Sequence, residues 1–166
     1  MREKIDCFLP CADIADLAET IGDLSASKTV QHIHLLTGDA TNINNIPQGV
    51  ELLETRHPLS TDAILQIAER TDAEYVLIST KPTPVRLGQH SLERFLRVAA
   101  DANAAMVYSD HYSVVEGTVV RHPVIDYQKG SVRDDFDFGQ LVLVNASLLH
   151  EYAATPPVHK YAHAGL

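Results

Sequence analysis

A mixed α/β fold, with a mostly parallel sheet covered by helices on both faces, is predicted by three features of the sequence. Strand-like and helix-like segments alternate along most of the chain, the order that builds parallel sheets. The segment Tyr75 to Ile78 is short and continuously apolar, as a central strand buried on both faces must be. The 166 residues, 45% of them hydrophobic, suffice for one domain with a core and are too few for two.

The first strand runs from Ile5 to Leu9 and is ended by Pro10. Asp13 caps a helix whose apolar positions Ile14, Leu17, Ile21 and Leu24 follow three-and-four spacing. Val30 to Leu36 is a second strand, closed by Thr37-Gly38-Asp39. Its alternation of Ile33 and Leu35 with His32 and His34 predicts one wetter face, near a sheet edge. Ala40 to Gln48, rich in Asn, Thr and Pro, is a loop. Gly49 to Glu54 makes a third strand, and Pro58 and Ser60 open a helix carrying Ile64, Ile67 and Ala68.

A proline-containing loop, Lys81 to Gly88, follows the Tyr75 strand. Ser91 caps a helix with Leu92, Phe95, Leu96 and Ala99 on one face. Ala105 to Tyr108 is the next strand and delivers Ser109-Asp110-His111-Tyr112 at its carboxyl end. Val114 to Val120 reads as an antiparallel β-hairpin turning at Glu116-Gly117. Gln140 to Val144 is the last strand, and Asn145 caps a helix through Leu148 and Leu149. Beyond Ala154 the periodicity stops. The expected organisation is one domain over residues 1–153 and an irregular tail, 154–166, leading towards a missing C-terminal part.

Composition excludes several functions. No run approaches the roughly 18 consecutive apolar residues of a membrane helix, and the N-terminus lacks the long apolar stretch of a secretory signal. The two cysteines, Cys7 and Cys11, form neither a disulfide framework nor a zinc pattern and suit a reducing, cytoplasmic compartment. A net charge of −9 argues against nucleic acid as a partner, because that binding rests on Lys and Arg neutralising phosphates. Neither a Walker motif nor a G-x-G-x-x-G occurs, and no serine sits in a G-x-S-x-G elbow.

Open α/β sheets bind ligands beyond the carboxyl ends of their strands. That rule nominates Pro10 to Asp13, Gly38-Asp39, Thr80-Lys81-Pro82 and Ser109 to Tyr112. Three of these loops carry an acid, able to bond ribose hydroxyls or to hold a divalent cation against a diphosphate. His111, beside Asp110, with His122 matches no established ligand spacing and reads first as an ordinary histidine, whereas His159 and His163, four apart, form a helix-face metal pair only if Pro156 and Pro157 start a helix, and a loose tail is expected there.

The order of these elements resembles the start of a family 2 glycosyltransferase with the GT-A fold. Ala73-Glu74-Tyr75-Val76-Leu77-Ile78 is similar to that family's strand, and the Ser91 helix followed by Met106-Val107-Tyr108-Ser109-Asp110 is similar to its next unit. The resemblance covers residues 4 to 150. It implies a Rossmann-like GT-A three-layer α/β/α domain and an inverting transfer of sugar from a nucleotide-diphosphate donor. It also implies that Pro10 and Asp13, with Asp39, hold the base and ribose, and that the acceptor is a carbohydrate or a lipid-linked molecule.

The sequence departs from the family at two places. Thr80-Lys81-Pro82 stands where the Asp-x-Asp that holds Mg²⁺ or Mn²⁺ belongs. Lys81 either substitutes a fixed ammonium for the ion or is an ordinary loop lysine, and Asp110 is the alternative metal ligand. The family's general base falls at or beyond Leu166, which leaves Asp134, Asp135 and Asp137 as carboxylates in the right half of the fold. They either deprotonate an acceptor hydroxyl or form a solvated acidic loop, with Phe136 and Phe138 in the core. A catalytically incomplete GT-A-like module that binds a nucleotide or a partner is the alternative function. A nucleotidyltransferase is disfavoured, because the first loop lacks the glycine-rich, basic sequence that grips a triphosphate.

Overall fold

The computed structural model describes residues 3–38, 40, 43–124 and 136–155. Along the chain the elements are β1 (Ile5–Pro10), α1 (Ala18–Ala26), β2 (Val30–Thr37), β3 (Val50–Glu54), α2 (Thr61–Arg70) and β4 (Tyr75–Ser79). They continue as α3 (Ser91–Ala102), β5 (Met106–Val107), β6 (His111–Val115), β7 (Thr118–His122), β8 (Leu141–Asn145) and α4 (Ala146–Ala154). One 6-stranded sheet has the order β3-β2-β1-β4-β8-β5, and β6 and β7 form a separate antiparallel hairpin. Strands β1 to β4 are mutually parallel, whereas β8 runs antiparallel to both β4 and β5.

The sheet is the middle of three layers. On one face Cys7, Leu9, Leu35 and Leu77 pack against Leu17, Ile21 and Leu24 of the α1 region and Leu92, Phe95, Leu96 and Ala99 of α3. On the other, Phe8, Leu36, Val76 and Ile78 pack against Ile64, Ile67 and Ala68 of α2 and Ala146 and Leu149 of α4. β1 and β4 are buried along their whole length because helices cover both faces. Each fully buried aliphatic side chain there contributes about 1.5–3 kcal/mol of transfer free energy.

Two of the four expected caps form. Ser60 accepts the Ala63 N–H at 3.1 Å to start α2, and Asn145 accepts the Ser147 N–H at 2.9 Å to start α4. The hairpin turns where expected: Glu116 and Gly117 have φ of 50° and 78°, the mirror-image turn that matches strand twist. α3 starts at Ser91, so His90 rather than Ser91 is its cap position.

Two further expectations need correction. Asp13 does not cap α1, which begins at Ala18. Its carboxylate instead accepts the Ala15 N–H at 2.9 Å, a local Asx turn that competes with helix initiation. The expected wetter face of β2 is not wet at His34, which is 3% exposed. β3 lies outside β2 and α2 covers that face, so His34 stacks on Phe8 with ring centroids 4.6 Å apart.

Beneath the same face lies a buried carboxylate. Asp6 is 0% exposed and accepts the N–H groups of Asp72 and Ala73 at 2.8 and 3.0 Å. Its other oxygen is 3.0 Å from His32 Nδ1. Asp6 thereby fixes the turn that feeds β4 beside β1.

Candidate functional site

Strand direction decides what meets at the site. Pro10, Thr37 and Ser79 end parallel strands and reach one edge of the sheet. β8 pairs Leu141 with Ser79, so residues 136–140 enter from the same edge. β5 runs parallel to β4 again and delivers Tyr108, Ser109 and Asp110 there. The strand order reverses between β1 and β4, the switch point at which open α/β sheets take their ligands.

The loop after β4 is braced from two sides. Thr80 N–H donates to Gln140 O at 2.8 Å, and the Thr80 hydroxyl lies 3.2 Å from Gly139 O. The Gln140 amide donates back to Thr83 O at 2.6 Å, Lys81 O at 3.3 Å and Ser79 Oγ at 3.4 Å. On the α1 side, the Thr20 hydroxyl donates to Val85 O and accepts the Val85 N–H, both at 2.8 Å. Asp23 accepts the Leu87 N–H at 3.2 Å, and Arg86 pairs with Glu19 at 2.8 Å.

Two residues nominated separately from the sequence meet here. Lys81 Nζ lies 3.5 Å from Asp137 Oδ2, and both side chains are more than half exposed. Asp137 Oδ1 accepts the Gly139 N–H at 2.8 Å. That hydrogen bond first, and the Lys81 ammonium after it, hold the Asp137 carboxyl below the usual carboxylate range.

Gly139 has a φ of 87°, and a Cβ there would stand 3.1 Å from His111 Nδ1. That nitrogen is buried without a hydrogen-bond partner among the described residues. His111 stacks on His122 at 4.7 Å, and His122 Nε2 is 2.8 Å from Ser113 Oγ. Phe136 and Phe138 pack edge-on against Tyr108, the arrangement expected if they anchor the acidic segment to the core.

The remaining nominated residues are placed as follows. Pro10 is the buried last residue of β1, and Asp13 is exposed in the loop after it. Asp110 turns to the base of the hairpin: Oδ1 accepts the Val124 N–H at 2.8 Å and Oδ2 is 3.4 Å from the Arg121 guanidinium. The Val124 N–H, followed by Arg121, lowers its pKa. Asp39, Asp134 and Asp135 lie outside the described residues, as do His159 and His163. Cys7 and Cys11 are both buried; burial, and the neighbouring acids after it, push the thiols up and make them poor nucleophiles.

The described residues do not by themselves fit a divalent ion. Both Asp110 oxygens already accept protein donors, and no group of three His, Cys, Asp or Glu converges among the described residues. Sequence reasoning missed Gln140, read only as the start of a strand. A polar residue directly after a glycine and before an apolar run was the only signal available. A shallow cavity of about 720 Å³, lined by Glu3, Lys28, Glu93, Arg97 and Asp101 among others, lies at the opposite, amino edge between α1 and α3. Its mixed charges and its distance from the strand tips separate it from the residues described above.

No family profile and no curated protein matches the sequence. Solved structures do resemble the fold. The chain is similar to CMP:2-keto-3-deoxy-manno-octonic acid synthetase complexed with CTP, with 14% identity and a TM-score of 0.54 over 93% of this chain and 79% of that one. It is similar to 2-C-methyl-D-erythritol 4-phosphate cytidylyltransferase from Francisella tularensis, with 10% identity and a TM-score of 0.52 over 91% and 76% of the two chains. Bifunctional IspDF from Campylobacter jejuni matches with 12% identity and a TM-score of 0.53 over 96% of this chain. The chain spans only 45% of that bifunctional protein. These likenesses establish a Rossmann-like α/β fold of the kind found in cytidylyltransferases. No helix among the described residues is long and apolar enough to cross a membrane.

Proposed function

We propose that this chain is the nucleotide-binding part of a GT-A-like glycosyltransferase. It holds a nucleoside-diphosphate sugar at the carboxyl edge of β1 and β4 for inverting transfer to a carbohydrate or lipid-linked acceptor. The observation that carries this reading is the charge at the switch point. The loop after β1 contains Asp13 and Asp16 and no Lys or Arg, while the braced loop after β4 presents Lys81 beside Asp137. A single ammonium, beside one carboxylate, suits a diphosphate already bonded to a sugar, not the larger charge of a free triphosphate.

In this reading the first loop contacts base and ribose, and Lys81, with Asp137 3.5 Å from its ammonium, stabilises the departing diphosphate.

The similarity to cytidylyltransferase structures favours a second reading, transfer of a nucleotidyl group from CTP. The absence of cations from the first loop weighs against it. A third reading is a nucleotide- or partner-binding module without catalysis, favoured by the replacement of Asp-x-Asp by Thr80-Lys81-Pro82. Calorimetric titration of the full chain with UDP, GDP and CTP, each with and without Mn²⁺, separates the three. Binding of UDP or GDP with little dependence on Mn²⁺ is expected. Preference for CTP overturns sugar transfer in favour of nucleotidyl transfer, and no binding of any nucleotide leaves the partner module.

A further inference from the structure

We infer that Gln140 is the positioning residue of this site, the group that presents Lys81 to a diphosphate; the inference rests on the nucleotide-binding reading above. The side chain reaches across from the amino end of β8 and spends its amide N–H groups on the loop after β4. Its Nε2 is 2.6 Å from Thr83 O, 3.3 Å from Lys81 O and 3.4 Å from Ser79 Oγ. The Ser79 hydroxyl adds a second donor to Lys81 O at 3.0 Å. Two consequences follow from these contacts.

The first is geometric. The backbone on both sides of Pro82 is tied to β8, so the Cα of Lys81 has a fixed origin and only its side chain must be ordered when an anion arrives. Ordering a loop on binding weakens affinity, and a loop ordered beforehand avoids that loss. The second is electrostatic. A peptide carbonyl presents its negative end, which repels phosphate oxygens. The carbonyls of Lys81 and Thr83 are satisfied by the Gln140 amide, so their lone pairs are turned to a donor and away from an incoming diphosphate. The same stitch sets the Lys81 partner: Thr80 bonds the backbone of Gly139 and Gln140, and Gly139 N–H holds Asp137.

A glutamine is suited to this place where a carboxylate is not. Glutamate at position 140 has no donor for Thr83 O or Lys81 O and adds a negative charge beside the ammonium. Leucine, one bond shorter, removes the hydrogen bonds without adding charge.

The test is a double-mutant cycle on UDP affinity, using the full chain with Gln140→Leu, Lys81→Ala and the two together. Gln140→Leu is expected to weaken UDP binding about 3- to 10-fold, the loss typical of a released polar anchor. In the Lys81→Ala background the same substitution is expected to change little, because the group being positioned is gone. A merely structural effect would instead lower affinity by the same factor in both backgrounds. Should Gln140→Leu fail to fold, Gln140→Glu replaces it with an almost unchanged shape and an equal or larger loss. Additive losses, or a Gln140 variant that binds UDP like the wild type, overturn the positioning role alone. Wild-type protein that binds neither UDP nor inorganic pyrophosphate overturns the nucleotide reading, and the positioning role with it.

Discussion

Asp6→Ala removes the acceptor that two backbone N–H groups and one imidazole share. The Ala73 N–H is buried, so without Asp6 it has no water to turn to. The Asp72 N–H is only partly buried and recovers some solvation. His32 is 41% exposed at its side chain and recovers most of its own. One fully orphaned donor and one half-orphaned donor, each bonded to a charged acceptor, amount to about 3–5 kcal/mol. Relief from burying a carboxylate works the other way, which sets the result towards the lower end. Asp6→Asn keeps an oxygen for the buried N–H and is expected to cost about 1–2 kcal/mol. Urea unfolding followed by circular dichroism measures both, with unchanged slopes expected if only the native contacts differ. A loss below about 1 kcal/mol for Asp6→Ala would show that Asp6 is not what anchors the α2–β4 turn.

Other outcomes follow from single positions. Burial lowers the His34 pKa below its ordinary value of 6.5, against the opposing pull of Glu51 and Asp6. The native state therefore resists a proton that the unfolded chain takes up, so stability is lost as pH falls below about 6.5, at up to about 1.4 kcal/mol per pH unit. His34→Phe should flatten the slope of the urea midpoint between pH 5 and 6.5 by that contribution; an unchanged slope contradicts it. Gly139→Ala places a side chain at a φ of 87° and 3.1 Å from His111 Nδ1, and is expected to destabilise the protein by about 1–3 kcal/mol by thermal unfolding. Lys81→Ala should weaken UDP binding about 10-fold and reduce its dependence on salt; equal affinity would leave Lys81 an ordinary loop lysine. Neither Cys7 nor Cys11 should react with iodoacetamide until the protein unfolds, because both thiols are buried.

Much of this architecture was legible in the sequence because local chemistry and fold agree. Ser60 and Asn145 cap helices that their apolar periodicity requires, Glu116-Gly117 turns a hairpin, and the Tyr75 strand is buried on both faces as its composition demands. Asp13 misled because a short carboxylate before a helical pattern serves an Asx turn as readily as a cap. His34 misled because an alternating pattern does not reveal that a helix from elsewhere in the chain covers the polar side.

The site was legible as a set of loops and not as a set of contacts. Lys81 and Asp137 were each singled out, but their pairing depends on β8 running antiparallel beside β4, a topological fact that no local pattern carries. Gln140 carried only a weak local signal for the same reason, since its partners lie about 60 positions earlier in the chain. Asp110 was correctly placed at the sheet edge, yet its carboxylate serves the hairpin through Val124 and Arg121.

The most direct test of a nucleotide seat between β1 and β4 is a map of backbone amide shifts on adding UDP to the isotopically labelled protein. Cys11 to Asp13, Lys81, Thr83 and Gln140 should move together and saturate with one affinity, while Ser27 to Thr29 and Arg97 at the amino edge stay still. Shifts confined to the amino-edge cavity, or to the exposed face of the β6–β7 hairpin, would contradict it.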